Sequence, residues 1–321
     1  MYYFKLIDFQ TFLNLYVLSF ASPMILMFFH LLYIGEFRLS GSVNQVKSGF
    51  YKKMADVAFF GLISGFSSIA MLNIDKYMVN HFLDLDAAGI YSIAFFFGSM
   101  ILIPGKAMRR ISTPILSDAF KQKDNNRVRD IYYKTSVSML LMGVILFVFL
   151  WANIHNVFRI LPEQYAQGKW VVLFISLAFI LNLASGISNQ MILYSKFYRL
   201  HSAVMFTMIV LIVVLNAILI PLLGITGAAI ATASTYFAAW VFRWVFIWRQ
   251  FGLQPFGYIH LSILFISMVI LCLSWLIPEF NLALDIILRN AFIILCFFLY
   301  LKYSNIDPEF SNLISRFTFK K

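Results

Sequence analysis

The chain has 321 residues, of which 61% are apolar and only 12% are charged. Its mean hydropathy is +0.83. No soluble domain needs that much apolar surface, so the composition excludes a soluble globular protein and indicates a membrane protein. The net charge of +11 comes from basic residues that lie between apolar runs, which favours a role in membrane orientation over nucleic-acid binding.

A helix that crosses a bilayer needs roughly 20 apolar residues. By this rule the sequence predicts an all-α membrane protein of about nine transmembrane helices. The first apolar run follows neither a basic region nor a cleavage site, so we expect a retained span rather than a signal peptide. The polar, basic segment 109–131 is expected to lie at the membrane interface. The predicted spans are 9–34, 55–80, 87–105, 132–154, 170–194, 202–222, 225–248, 259–278 and 283–302.

The basic residues predict how these spans are oriented. Twenty of the 25 Lys and Arg residues fall in alternate connections or in the C-terminal tail. Since cytoplasmic loops are enriched in Lys and Arg, we expect a cytoplasmic C-terminus and an N-terminus on the outer side. The other five are Lys5, Lys76, Arg159, Lys169 and Arg289.

The second predicted span carries polar groups at helical spacing. Its stripe consists of Gly61, Ser64, Ser68 and Asp75, and for the small residues close helix packing is the leading interpretation. An ionisable residue beside a long apolar stretch is unfavourable unless it faces protein or water. Asp75 and Lys76 are therefore either an interfacial anchor, with Lys76 snorkelling outward, or the charged wall of a water-filled path.

The fifth predicted span carries a second polar stripe. Asn182, Ser185, Gly186 and Asn189 have i, i+3, i+4, i+7 spacing and share one helix face. Lipid does not tolerate such a stripe cheaply, so it faces other helices or a cavity. Interhelical hydrogen bonding and cavity lining both remain open.

Three arginines are candidates for anion binding or for membrane anchoring. Arg109 and Arg110 follow a Pro-Gly break and either hold phosphate by bidentate hydrogen bonds or are ordinary positive-inside residues. Arg243 lies between Trp240 and Trp244, which favours an interface anchor.

The stretch that begins at Pro221 predicts a tight turn and a helix-packing seam. Pro221 and Gly224 are expected to end one helix and turn the chain. Small residues then recur at a spacing on which another helix can pack closely. They are Gly227, Ala231, Ser234 and Ala238.

Neither an enzyme nor a cofactor is predicted. The five histidines do not cluster in sequence, and Cys272 and Cys296 lie inside predicted spans, which implies neither a disulfide framework nor a metal site. No phosphate-binding glycine loop or nucleophile elbow occurs, and the charged side chains are too scattered to nominate an acid–base pair.

Three stretches together resemble a known family. They are Asn73 to Val79 followed by Ala88 to Ala94, then Ser112 to Ser117, and last Pro221 to Thr232. In this order and spacing the chain is similar, over nearly its whole length, to the polysaccharide flippases of the multidrug/oligosaccharidyl-lipid/polysaccharide exporter superfamily. It resembles in particular the O-antigen, or lipopolysaccharide, flippases of bacteria.

The resemblance implies a part of a two-lobed transporter. Family members have twelve to fourteen spans built as two six-helix lobes, and this chain resembles the sixth span onward. Residues 1–54 would be a leftover helix and a cytoplasmic linker, 55–250 the second lobe, and 251–321 two extra helices with a cytoplasmic tail. A truncated product, a mispredicted start and half of a split gene each account for this. The absence of an internal repeat fits a single lobe.

The function implied by the resemblance is alternating access in the bacterial inner membrane. It would move a polyprenyl-pyrophosphate-linked oligosaccharide from the inner to the outer leaflet for cell-surface polysaccharide biosynthesis. Lys76 and Arg109 or Arg110 would hold the pyrophosphate, and Asp75 would couple transport to protons or sodium. The expected partners are membrane lipid and a separate N-terminal lobe, but no nucleic acid. The candidate cavity residues are Ser68, Asp75, Lys76, Arg109, Arg110, Asn182 and Asn189.

Three other functions remain open. A drug or cation antiporter of the same superfamily would need a carboxylate-rich first lobe. An O-antigen polymerase or ligase would need a large outer loop rich in Arg and His, whereas the longest one here, about 154–169, is short. An inactive remnant is the third, because one lobe cannot enclose a two-lobed cavity.

Overall fold

The computed structural model describes residues 8–35, 49–278 and 281–304. It is 90% helical, and the described part contains no strand. Two 3₁₀ turns, Met100–Leu102 and Glu163–Gly168, interrupt the series of α-helices. The helices are α1 Phe9–Ile34, α2 Phe50–Phe82, α3 Leu85–Ser99, α4 Ile103–Lys121, α5 Asn125–Ala152, α6 Ile154–Ile160, α7 Lys169–Ala184, α8 Ser188–Leu193, α9 Tyr198–Phe251, α10 Tyr258–Trp275 and α11 Leu282–Tyr303.

The described ranges contain eight helical segments that are long and apolar enough to cross a membrane. The longest of them, α9, has 54 residues and contains both predicted spans 202–222 and 225–248. All nine predicted spans therefore coincide with helices, and the prediction of an all-α, multi-pass membrane protein is confirmed.

Helix α9 is a hairpin of two antiparallel arms. Gly224 has φ 60° and ψ −143°, which is outside the helical region. Asn216 and Thr232 lie on opposite sides of Gly224, and both hydrogen-bond to Asp75. In a straight helix these two residues would be about 24 Å apart along the axis. Because they reach one carboxylate, the chain reverses at Gly224, as the sequence predicts.

The chain divides into two compact units, Met1–Ala55 and Asp56–Lys321. In the first unit, α1 contains Pro23 and ends at Gly35 in a left-handed conformation. The second unit contains most of α2 and all later helices. The three-part organisation expected from the resemblance stays a prediction.

Helix α7 lies at the centre of the second unit, packed against α3, α5 and α9. Phe179 of α7 is fully buried and meets Phe95 of α3 and Tyr236 of α9 edge to face. Such aromatic pairs contribute about 0.5–1.5 kcal/mol each beyond area burial. The packing of α7 therefore fixes the spacing of the helices around it.

Segment 109–131 consists of the end of α4, a short turn and the start of α5, and its location at the membrane interface stays a prediction. Helix α4 continues to Lys121, and α5 begins at Asn125 with the Asp124 side chain accepting a hydrogen bond from the Arg127 backbone at 3.0 Å. Leu116 is fully buried within this stretch. Alternating buried and exposed residues make it the packed ends of two helices joined by a tight turn.

Candidate transport cavity and the Asp75 cluster

A cavity of about 280 Å³ opens among α2, α4, α7, α8 and both arms of α9. Its wall contains both apolar and polar residues, and Met71, Met205 and Met208 are among the apolar ones. The polar lining residues are Ser68, Lys106, Arg109, Asn182, Asn189, Gln190, His201, Tyr236 and Arg243.

The Lys, Arg, Asp and Glu residues found in the cavity lining are all cationic. Lys106, Arg109 and Arg243 line it, and the described lining residues include no Asp or Glu. Arg243 is only 4% exposed. A buried cation without a counter-ion is costly, so a cavity of this composition favours an anion as its ligand.

The two arginines are held only loosely by the protein. Arg243 Nη2 donates to Ser185 Oγ at 3.3 Å, and Arg109 Nη1 donates to Asn182 Oδ1 at 3.4 Å. Both distances exceed those of strong charge-assisted hydrogen bonds, which are about 2.7–2.9 Å. Arg243 Nε is buried and has no hydrogen-bond partner within the described ranges. Both guanidinium groups therefore keep donors available for a ligand.

Local breaks in the helices place these side chains at the cavity. The chain between α7 and α8 turns at residues 185–187, with Gly186 at φ 55°. This break brings Ser185 to Arg243. Discontinuous helices of this kind often form substrate sites in transporters, because the interrupted backbone lines a cavity rather than lipid.

Asp75 forms a separate, fully buried cluster. Its carboxylate accepts hydrogen bonds from Tyr91 Oη at 2.9 Å, from Asn216 Nδ2 at 2.7 Å and from Thr232 Oγ1. These partners connect α2 with α3 and with both arms of α9. All three of these hydrogen-bond donors are neutral. Each hydrogen bond to a charged group contributes about 1.5–3 kcal/mol, which offsets part of the cost of burying the carboxylate.

The Asp75 cluster lies one helical turn from the cavity wall. Met71 of α2 and Tyr236 of α9 line the cavity. Asp75 and Thr232 are each four residues away on the same helices, a rise of about 6 Å. A change at the carboxylate can therefore reach the cavity wall along two helices at once.

The structure brings four of the seven predicted site residues together. Ser68, Arg109, Asn182 and Asn189 line the cavity, which joins the two polar stripes that the sequence presented separately. Asn189 lines the cavity, and Asn182 both lines it and accepts the interhelical hydrogen bond from Arg109.

The other three predicted site residues lie outside the described cavity lining. Asp75 forms its own cluster. Lys76 is half-buried, with Nζ 5.0 Å from the centroid of the Phe95 ring and 3.5 Å from Asn73 Oδ1. Arg110 is exposed.

Arg243 and Lys106 are charged cavity residues whose role the sequence did not predict. The neighbouring tryptophans favoured an interface anchor for Arg243, yet it is buried in the cavity wall. Its i−4 and i−7 spacing to Ala239 and Tyr236 put all three on one helix face. Lys106 and Arg109 have i, i+3 spacing on α4, which places them on the same helix face. This spacing could have identified the two cations as a pair from the sequence.

The expected seam after Gly224 is only partly buried. Gly227 and Ala231 are buried, whereas Ser234 is exposed. A Cβ atom at Gly227 would collide with the backbone carbonyl of Leu219, in the preceding arm. The glycine therefore serves the hairpin of α9 rather than contact with another helix.

A second buried polar cluster joins the last two helices to the rest of the unit. Asp285 and Arg289 of α11 form an ion pair at 2.9 Å, and Asp285 also accepts a hydrogen bond from Asn156 and lies 3.2 Å from His155. Arg289 donates to the Ser274 and Ile277 carbonyls at the end of α10. These contacts satisfy the helix end as well as the charge, which indicates a structural role.

No family model and no curated protein matches the chain. The resemblance to polysaccharide flippases therefore stays a prediction.

Proposed function

We propose that the protein translocates a polyprenyl-pyrophosphate-linked oligosaccharide from the inner to the outer leaflet of a bacterial inner membrane. The observation that carries the proposal is the cavity lined by Lys106, Arg109 and Arg243 without a described acidic residue. Pyrophosphate supplies the anion that such a cavity favours. Guanidinium groups bind its oxygens in a bidentate manner, more specifically than an ammonium group does.

The cationic character of the cavity also separates this proposal from its alternatives. An exporter of cationic drugs would need a carboxylate in its binding cavity, and the described lining has three cations instead. A transporter also needs no acid–base pair, so we propose binding and movement rather than chemical change of the ligand.

Alternating access requires two lobes around one cavity. We propose that residues 55–250 supply one six-helix lobe and that a separate chain, or a longer form of this one, supplies the other. Helix α2 supports this, since it contributes Ser68 to the cavity while Leu62, Phe66 and Ile69 on it remain exposed. The positive-inside bias places the C-terminus in the cytoplasm.

Asp75 is the proposed site of coupling to protons or sodium. The support is its position, since it ties α2 to both arms of α9 one turn from the cavity. Binding of a cation or a proton at the carboxylate would weaken the three hydrogen bonds that it accepts. The position of α2 relative to α9 would then respond to the coupling ion.

The proposal can be tested by lipid binding. The full chain in nanodiscs is titrated with a polyprenyl-pyrophosphate oligosaccharide, and the dissociation constant is measured by microscale thermophoresis. Replacing the two cavity arginines, R109Q/R243Q, is expected to weaken binding by at least about tenfold, because each removes a charge-assisted hydrogen bond.

Arg110→Gln is the matched control, because Arg110 is exposed and lies outside the cavity lining. Its dissociation constant should stay within about twofold of the unmodified chain. Equal binding by the R109Q/R243Q variant and the unmodified chain would exclude the cavity as the pyrophosphate site. Stronger binding of a lipophilic cation than of the pyrophosphate lipid would favour the antiporter instead.

A further inference from the structure

We infer that a surface groove outside the cavity binds a membrane phospholipid whose headgroup carries both a phosphate and a primary amine. The groove has a volume of about 290 Å³ and lies between α2 and the first arm of α9, before Gly224. Its lining residues are Phe60, Ile63, Ser202, Ala203 and Phe206. The inference concerns a lipid that stays bound to the protein, so it does not depend on the proposed function.

The groove and the cavity lie on opposite faces of the first arm of α9. Successive residues of a helix are turned by about 100°, so the groove positions point away from the cavity positions. Ala203 and Phe206 are exposed, and Ser202 Oγ donates a hydrogen bond to the Phe60 carbonyl at 2.7 Å. The surface of the groove is therefore apolar and suits an acyl chain. On this arm the cavity is lined by His201, Val204, Met205 and Met208.

An ion pair joins the same two helices beside the groove. Asp56 Oδ2 accepts hydrogen bonds from Arg199 Nη2 at 2.6 Å and from Arg199 Nε at 3.1 Å, and also from Tyr198 Oη. The side chain of Arg199 is 63% exposed. These contacts use two of the five N–H donors of the guanidinium, which can donate the others to a phosphate oxygen.

The spacing of the residues aligns the ion pair with the groove. On α2 the groove residues follow Asp56 by four and seven positions, and on α9 two of them follow Arg199 by the same intervals. This spacing places each set on one helix face and extends it by about 10 Å along the axis. The positive-inside bias predicts that the charged end lies at the inner membrane surface. The groove then points into the hydrocarbon, as the acyl chain of an inner-leaflet lipid does.

The two signs of charge at the polar end select the headgroup. Arg199 favours a phosphate, whereas the carboxylate of Asp56 disfavours a headgroup that is only anionic and favours an ammonium group. A primary ammonium donates charge-assisted hydrogen bonds to a carboxylate, and a quaternary ammonium has no N–H group to donate. Phosphatidylethanolamine carries both a phosphate and a primary ammonium, so it complements both residues.

The test measures the lipid selectivity of the delipidated full chain in detergent by native mass spectrometry. Phosphatidylethanolamine, phosphatidylglycerol and phosphatidylcholine with identical acyl chains are titrated separately. For the unmodified chain we expect phosphatidylethanolamine to bind at least about fivefold more tightly than either other lipid, as one added, partly exposed ion pair predicts. In Asp56→Asn the affinity ratio over phosphatidylglycerol should fall to near one, because the charge that selects the ammonium is lost.

Ala203→Trp tests the groove while both charged residues stay in place. The indole would occupy the space of the acyl chain, so phosphatidylethanolamine should bind at least about fivefold more weakly than to the unmodified chain. Ile218→Trp is the matched control, since Ile218 is exposed on the same arm outside the groove lining. It should keep the affinity of the unmodified chain.

Asp118→Asn is the control for Asp56→Asn, because Asp118 forms another exposed ion pair, with Lys121, and lies outside the groove lining. It should keep the preference for phosphatidylethanolamine. Equal affinities of the unmodified chain for the three lipids overturn the inference. Unchanged phosphatidylethanolamine binding in Ala203→Trp also overturns it. These two results decide the matter even if Asp56→Asn does not fold.

Discussion

Asp75 illustrates how an acidic residue is accommodated inside a span by neutral hydrogen-bond donors. Its carboxylate is fully buried and accepts hydrogen bonds from three neutral donors, one on α3 and one on each arm of α9. The sequence identified Asp75 because the ionisable pair Asp75 and Lys76 beside a long apolar stretch is costly. It could not identify Asn216 and Thr232 as partners, because their pairing depends on the antiparallel arms of α9.

Asp75→Asn is expected to destabilise the protein by about 1–3 kcal/mol. The substituted amide places an N–H group against donors that previously shared a carboxylate, so at least one buried donor loses its acceptor. Thermal unfolding in detergent, followed by tryptophan fluorescence, measures the effect.

Asp118→Asn is the control for Asp75→Asn, because Asp118 is exposed and its ion pair with Lys121 is 3.5 Å long. Surface pairs of this kind contribute about 0–1 kcal/mol, so its melting temperature should change little. If Asp75→Asn unfolds at the same temperature as the unmodified chain, the carboxylate does not hold the cluster together as a charged acceptor.

At the scale of the elements, glycines set how closely helices pack and where they turn. Leu183 of α7 is fully buried between Gly105 of α4 and Gly143 of α5. A Cβ atom at either glycine would collide with a methyl group of Leu183. The sequence shows these glycines but not their common neighbour, because hydropathy does not indicate which helix faces meet.

Single alanines at Gly105 and Gly143 should be tolerated better than both together. With one substitution Leu183 can turn toward the remaining glycine, whereas the double variant closes both sides. We expect the loss of unfolding free energy in G105A/G143A to exceed the sum of the single losses by about 1–3 kcal/mol. Denaturant unfolding of the four chains measures this coupling. Adding Leu183→Ala should recover part of the loss, and strictly additive effects would contradict the shared contact.

The hairpin of α9 depends on the backbone of Gly224. Its φ of 60° with ψ of −143° is a combination that side chains with a Cβ adopt only under strain of about 1–3 kcal/mol. Gly224→Ala should therefore lower the unfolding free energy by that amount, although a Cβ there would meet nothing within 4 Å.

Gly65→Ala separates the backbone effect at Gly224 from a general effect of alanine. Gly65 lies within α2, and a Cβ there also meets nothing within 4 Å. Alanine is favoured over glycine in a helix by about 0.5–1 kcal/mol, so this variant should be neutral or stabilised in the same thermal unfolding measurement. Equal behaviour of the two variants would contradict a strained turn at Gly224.

For the whole molecule, hydropathy was sufficient to predict the class and the nine spans, since length and apolar content alone define a span. The cavity required tertiary information. Arg109 meets Asn182 across 73 residues of sequence, and Arg243 meets Ser185 across 58. The Asp285 cluster likewise joins α11 to the Asn156 region, 129 residues earlier. Periodicity identifies the polar face of each helix, but not which polar faces combine.

Orientation is the prediction that belongs to the whole chain, because successive connections must lie on opposite sides of the membrane. Cys272 and Cys296 are free, so C272S/C296S provides a cysteine-free background. Four exposed positions then receive single cysteines: Lys123 and Gln254 on the predicted inner side, and Asp86 and Glu163 on the predicted outer side. Labelling of intact bacterial spheroplasts with a membrane-impermeant maleimide measures the side of each.

We expect Asp86→Cys and Glu163→Cys to react in intact spheroplasts, and Lys123→Cys and Gln254→Cys to react only after permeabilisation. The physical reason is the positive-inside bias, which predicts that the connections around 123 and 254 lie in the cytoplasm. The reverse pattern would keep the nine-span arrangement but contradict the predicted cytoplasmic side of the connections around 123 and 254. Reaction of all four positions in intact spheroplasts would contradict the alternating spans themselves.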